Sequence, residues 1–142
     1  MHKPVNMFLV LMGITLACQA GAFEQLVGEY GGKLSSLEAY GGKVGDSCAV
    51  SITRSDMFGG SLIFEILNID KILMANRDVQ KALERKANTI RLFTPGQSVD
   101  RSSEAVVLTL GEDRSLKAMK LFRRWNTQLI EKYAVCSELV KK

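Results

Sequence analysis

The chain holds one histidine, His2, and three cysteines, Cys18, Cys48 and Cys136. That inventory bounds the chemistry open to it. His2 lies in the extreme N-terminal segment, so from residue 23 onward no side chain has an ordinary pKa near neutrality. Ser-His-Asp and Cys-His machinery and His-ligated metal sites are thereby excluded from that part. Gly45-Asp46-Ser47 offers a serine in a tight block, but no histidine follows to act as its base. GEYGGKL, Gly28 to Leu34, approaches a phosphate loop, yet it is one residue short of G-x-x-x-x-G-K-[ST], and Leu34 replaces the magnesium-holding hydroxyl. Two chemistries survive. Glu112 and Asp113 are paired acids, and glycoside hydrolysis needs two carboxyls at a defined separation across a cleft. Adjacent acids in a turn are more simply solvated. KLFRRW, Lys120 to Trp125, brings Arg123, Arg124 and Trp125 together, a patch suited to an anionic glycan, phosphate or lipid headgroup. The competing and preferred reading is a strand edge whose cations discourage aggregation. No cofactor motif is found.

The compartment follows from the first residues. Lys3 and the α-amino group precede MFLVLMGITLA, Met7 to Ala17, which carries no charge, and the small residues Ala17, Cys18, Ala20, Gly21 and Ala22 follow. This order is that of a secretory signal peptide. The apolar run is shorter than the ~20 residues needed to cross a bilayer. Residues 1–22 are therefore read as a signal peptide cut after Ala22, with a cut after Ala20 nearly as good. A lipid-modified Cys18 is the alternative. The residues before it, Thr15, Leu16 and Ala17, resemble a bacterial lipoprotein signal only at Ala17. A buried N-terminal helix or strand is the remaining reading.

Removal of the leader leaves residues 23–142 as one domain, large enough for a real core. It takes away only Lys3 among the charged residues, lowering the net charge of +4 by one. Charges of both signs are interspersed, so no electrostatic footprint for nucleic acid emerges. With Cys18 removed or lipidated, Cys48 and Cys136 form an even pair in an oxidising compartment, the arrangement of a disulfide. Such a bridge ties the first clear alternating strand to the last, and first and last strands can be neighbours in a closed sheet. Two buried free thiols are the alternative if the leader is misread.

The elements that would position these residues are mostly strands. CAVSITR, Cys48 to Arg54, alternates Cys48, Val50 and Ile52 with Ala49, Ser51 and Thr53. MFGG makes a turn, and SLIFEIL, Ser61 to Leu67, is the partner strand of a hairpin. Tyr-Gly-Gly-Lys occurs at Tyr30–Lys33 and again at Tyr40–Lys43, each copy reading as a tight turn because Gly-Gly supplies positive φ. DVQKALERKAN, Asp78 to Asn88, suits a short helix with an acid at its start and bases near its end. TIRLF is a strand stopped by Pro95-Gly96, a polar loop follows, AVVLTL, Ala105 to Leu110, is a buried strand, and GEDRS is a turn. The tail is ambiguous. Leu116, Met119, Phe122, Leu129 and Tyr133 fit one helical stripe, yet GEDRS looks like a hairpin connection and EKYAVC alternates. Two strands are preferred, giving a mainly β fold, an antiparallel barrel or strongly curved sheet with one short helix. A C-terminal helix would make it α+β.

An apolar stretch leading to Gly28-Glu29-Tyr30, a cysteine-bearing strand, successive hairpins and a last strand with a second cysteine resemble the small secreted lipocalin-like β-barrels. Their first strand carries Gly-x-Trp, and Tyr30 stands where that Trp would be. The resemblance implies antiparallel strands around a core, with room for a ligand cavity. It transfers no functional residue, and the helix at Asp78–Asn88 departs from it. The expected function is an exported, non-enzymatic domain, secreted or periplasmic, that binds a ligand or an envelope partner. A carboxylate-dependent hydrolase and a lipid-anchored envelope structural protein are the alternatives.

Overall fold

A computed structural model describes residues 23–93, 104–125 and 130–142. The expectations for residues 1–22 (Cys18, Ala20 and Ala22 among them), for Pro95-Gly96 and for the polar loop after it lie outside the described residues. Eight antiparallel strands form one sheet. They are β1 (Gly28–Glu38), β2 (Ser47–Ser55), β3 (Ser61–Ile66), β4 (Asp70–Ala75), β5 (Thr89–Phe93), β6 (Glu104–Leu110), β7 (Leu116–Trp125) and β8 (Ile130–Lys141), with one helix, α1 (Asn76–Leu83), between β4 and β5. The spatial order is β4-β3-β2-β1-β8-β7-β6-β5. Each strand pairs with its successor except β4 with β5, and β1 pairs with β8. Among the described residues the result is a nearly closed barrel with its seam at β4 and β5. Helix α1 packs on both strands flanking that seam, and its Val79 is fully buried.

The period-2 pattern decides which side chains enter the barrel. Cys48, Val50 and Ile52 of β2, Leu62, Phe64 and Ile66 of β3, Ile72 and Met74 of β4, and Ile90 and Leu92 of β5 are all buried. So are Val106, Leu108 and Leu110 of β6, Leu116, Met119 and Leu121 of β7, and Ala134, Cys136 and Leu139 of β8. The space between the strands is filled by these side chains. The tail is strand, not helix: β7 and β8 pair from Met119↔Cys136 to Trp125↔Ile130.

Tyr30–Lys33 is not a turn but the middle of β1, with Tyr30 opposite Val50 and Gly32 opposite Cys48. Gly32 is needed there for close approach rather than for positive φ. A Cβ on Gly32 would lie 2.3 Å from the Ser137 carbonyl oxygen. Only the second copy, Tyr40–Lys43, lies in a connection, the one between β1 and β2.

The meander gives the barrel two distinct ends. One, the helix end, carries the N-terminal 3₁₀ turn Glu24–Leu26, the β2–β3 turn, α1 and the β6–β7 turn. The opposite, or loop, end carries the β1–β2 and β3–β4 connections.

Candidate functional site

Cys48 and Cys136 form a disulfide, with α-carbons 6.2 Å apart. Both lie on the interior faces of their strands. Those strands are not neighbours, which corrects the expected geometry: β1 runs between β2 and β8. The bridge therefore crosses over β1. Two features bring its ends together. Gly32 presents no side chain beneath it, and the β1–β8 ladder is bulged on both sides of Lys33 and Leu34. From Gly31↔Val140 to Lys33↔Ser137, β8 advances one residue more than β1, and Glu138 adopts a left-handed φ of 54° there. From Leu34↔Cys136 to Ser36↔Val135 the extra residue belongs to β1. Bulges increase local twist and curvature.

At the loop end, Asp70, Arg123 and Tyr40 converge. Asp70 opens β4 on the face that carries Ile72 and Met74, and Arg123 continues the inward row of Met119 and Leu121 on β7. Arg123 donates to the carboxylate through Nε at 2.5 Å and Nη2 at 3.0 Å, and Nη2 also donates to the Lys71 carbonyl at 2.8 Å. The Tyr40 hydroxyl donates to Asp70 Oδ2 at 2.6 Å. Lys132 approaches the Tyr40 ring, its Nζ 5.7 Å from the centroid. Burial alone would push the Asp70 carboxyl up, but the hydrogen bonds from Arg123 and Tyr40 outweigh it and hold the group below its ordinary value. Burial, followed by the bond to Asp70, pushes the Tyr40 hydroxyl far above the usual phenol range. The hydrogen bond to Asp70 likewise raises the Arg123 guanidinium. The cluster joins two strands distant in the sheet and ties the β1–β2 connection to them.

Arg123 is turned to Asp70 and Lys71. Arg124 and Trp125 pair through their backbones with Glu131 and Ile130, and their side chains lie outside those described. Glu112 and Asp113 sit in the exposed β6–β7 turn, where Asp113 accepts from the Ser115 amide at 3.1 Å and hydroxyl at 2.6 Å. Those bonds, the hydroxyl first, hold Asp113 below the usual carboxylate range. Ser47 opens β2 and is exposed. Among the described residues no three His, Cys, Asp or Glu side chains are grouped to hold a metal, and no helix is long and apolar enough to cross a membrane.

The helix end carries the features that sequence reasoning missed. Tyr30 is buried, its hydroxyl donating to the Leu26 carbonyl at 2.6 Å, so it fastens the N-terminal turn to the barrel. Beside that turn a cleft of about 540 Å³ lies among Gln25, Leu26, Leu83, Lys86, Leu110 and Arg114. On the same end the β2–β3 turn exposes Met57 and Phe58, at 58% and 79% of their accessible surface. A turn was legible in MFGG. Exposure of its two apolar side chains was not, because the same residues would be equally at home in a core.

Fold and geometry together define a disulfide-tied, eight-stranded antiparallel barrel with a filled interior and a helix over its seam. No protein-family model matches the chain, and no curated protein or solved structure matches it.

Proposed function

We propose that this chain is an exported, non-enzymatic barrel module of the secreted or periplasmic space, which acts by binding an envelope partner through its surface. The observation that carries this reading is the filled interior. Phe64, Ile52, Leu62, Ile66, Met74, Ile90, Leu108, Met119 and Leu121 are all at most 2% exposed. Ligand-carrying barrels keep that volume open. The lipocalin-like likeness then applies to architecture: an up-and-down meander, β1 beside β8, and Tyr30 at the end where the N-terminal turn packs. Carriage of an apolar molecule inside the barrel is a different function from the one proposed. Two further facts favour a non-enzymatic role. The carboxylate of the loop-end cluster, Asp70, is already engaged by Arg123 and Tyr40, and Glu112 and Asp113 stand in an exposed turn. Export is favoured by a disulfide in a chain whose N-terminal segment has the order of a secretory leader.

The test is a titration of the exported protein, disulfide intact, with a fluorescent fatty acid and with a solvatochromic apolar dye. The expected result is no saturable one-to-one binding, and cell fractionation should recover the protein outside the cytoplasm. Stoichiometric uptake that substitutions in the barrel interior abolish would overturn the module reading in favour of a carrier.

A further inference from the structure

The helix end bears an apolar knob and an apolar socket side by side, and the geometry points to a second copy of this chain as the partner that joins them. This inference rests on the module reading and names one partner for it. The knob is the β2–β3 turn. Phe58 adopts φ 56°, ψ 35°, the left-handed region, which is costly for a bulky residue. Its surroundings hold it there. The Met57 amide donates to Ser55 Oγ at 3.2 Å, and the Met57 carbonyl accepts from the Gly60 amide at 3.1 Å and the Ser61 hydroxyl at 2.6 Å. Ser61 is fully buried, and the Gly60 carbonyl accepts from the Asn76 amide at the start of α1. The turn is thus fixed from four directions while Met57 and Phe58 stand in water. A left-handed residue held rigidly with two adjacent apolar side chains in solvent is the feature from which the interaction is inferred.

The socket is the cleft of about 540 Å³ among the N-terminal turn, the end of α1 and the β6–β7 turn. Leu83, half-buried, and the edges of the buried Leu26 and Leu110 form its apolar lining. Lys86, Arg114 and Glu112 stand around it, with Arg114 Nη1 donating to the Ala87 carbonyl at 2.8 Å. The rim thus carries two cations and one carboxylate. The knob carries Asp56 next to Met57, while Arg54 of the same hairpin is ion-paired with Glu24. Apolar tip meets apolar lining, and Asp56 meets the Lys86–Arg114 rim. Because knob and socket share one end of the barrel, two copies related by a twofold axis can each insert a knob into the other's socket. That is the self-complementary arrangement of an isologous dimer. An anionic lipid surface fits less well, since the charge beside the tip is the acid Asp56 and the hairpin's cation is already paired.

The experiment is sedimentation equilibrium of the exported protein, disulfide intact, across a wide range of concentration. A reversible monomer–dimer equilibrium is expected. Phe58→Gly, which suits the left-handed backbone and so keeps the fold, should weaken association at least about tenfold. Asp56→Lys should weaken it too, and Lys86→Glu added to Asp56→Lys should restore it in part. A monomer at every concentration overturns the inference, as does a dimer indifferent to Phe58→Gly. Phe58-dependent flotation with phosphatidylcholine–phosphatidylglycerol vesicles also overturns it, in favour of lipid. A monomer that still takes up no apolar probe brings down only the second copy as partner. Saturable uptake of the probe brings down the module reading, whatever the association state.

Discussion

Arg123 illustrates how a residue is assigned by its partners rather than its neighbours in sequence. Its guanidinium reaches Asp70, 53 residues away, and holds that carboxylate with two hydrogen bonds. The pair is unevenly buried, with Arg123 44% and Asp70 15% exposed. Solvent screening therefore discounts the charge contribution, and the coupling is expected to be about 1–2 kcal/mol. Asp70→Asn should cost that much in urea unfolding at neutral pH. The pH dependence has a definite sign. The Asp70 value in the folded chain is depressed below 3.8, so its contribution is complete above that value and is lost as pH falls through the lower folded value. The gap between wild type and Asp70→Asn should thus close in acid, read from unfolding midpoints at successive pH values. Phe58 gives the opposite kind of prediction. Its left-handed φ is one that glycine adopts freely, so Phe58→Gly should raise the stability of the monomer by roughly 0.5–1 kcal/mol net, the strain relieved exceeding the unfolded-chain entropy that glycine adds. A fall in the thermal midpoint of the monomer would show that Phe58 makes a supporting contact.

At the scale of elements, β1 is the strand on which the barrel's curvature depends. It pairs on both sides, is bulged against β8, and lies under the disulfide. Its two glycines differ in what stands behind them. A Cβ at Gly32 would meet backbone, the Ser137 oxygen at 2.3 Å, and Leu139 at 2.9 Å. At Gly31 it would meet the flexible end of Lys142 at 3.2 Å. Gly32→Ala is therefore expected to cost about 1–3 kcal/mol, as overpacking does, and Gly31→Ala to be near neutral, both measured by denaturant unfolding. Equal costs would refute the close-approach account. The same strand marks the limit of what the sequence discloses. Alternation was legible in Cys48-Val50-Ile52, but β4 was not legible as a strand although Ile72 and Met74 give it one apolar face; six residues beside a helical pattern carry too short a period-2 signal. It failed at Tyr30–Lys33 because Gly-Gly signals both a turn and a close approach, and only the neighbouring strand tells them apart. The helix was legible from the acid at its start and the bases near its end, although it starts at Asn76 and ends at Leu83, short of Asn88. The Tyr40–Asp70–Arg123 cluster and the knob and socket were not legible. Their members are brought together by closure of the sheet, and no local pattern records that.

For the whole molecule, the two weak lines of the barrel are managed differently. At the β4–β5 seam, where no strand pairing exists, α1 covers the gap with Val79. At the bulged β1–β8 ladder, the Cys48–Cys136 bridge fastens β2 to β8 over the intervening strand. The two cysteines are 88 residues apart. In the chain-entropy model, a loop of that length lowers the unfolded-state entropy by the equivalent of about 4–5 kcal/mol, an upper figure because native strain subtracts from it. Replacing both cysteines with alanine should accordingly cost about 2–4 kcal/mol. Seven antiparallel strand pairings remain to hold the sheet, so the far-ultraviolet circular dichroism of the variant should stay close to that of wild type. The origin of the loss can be read separately. If the bridge acts on the unfolded chain, releasing it lets that chain expand and expose more surface, so the denaturant slope m should rise in the variant and equally in the reduced wild type. If it acts by straining or clamping the native bulges, the slope should stay constant while the midpoint falls. A midpoint unchanged on reduction, with the same slope, would mean that the bulged β1–β8 ladder holds without its bridge.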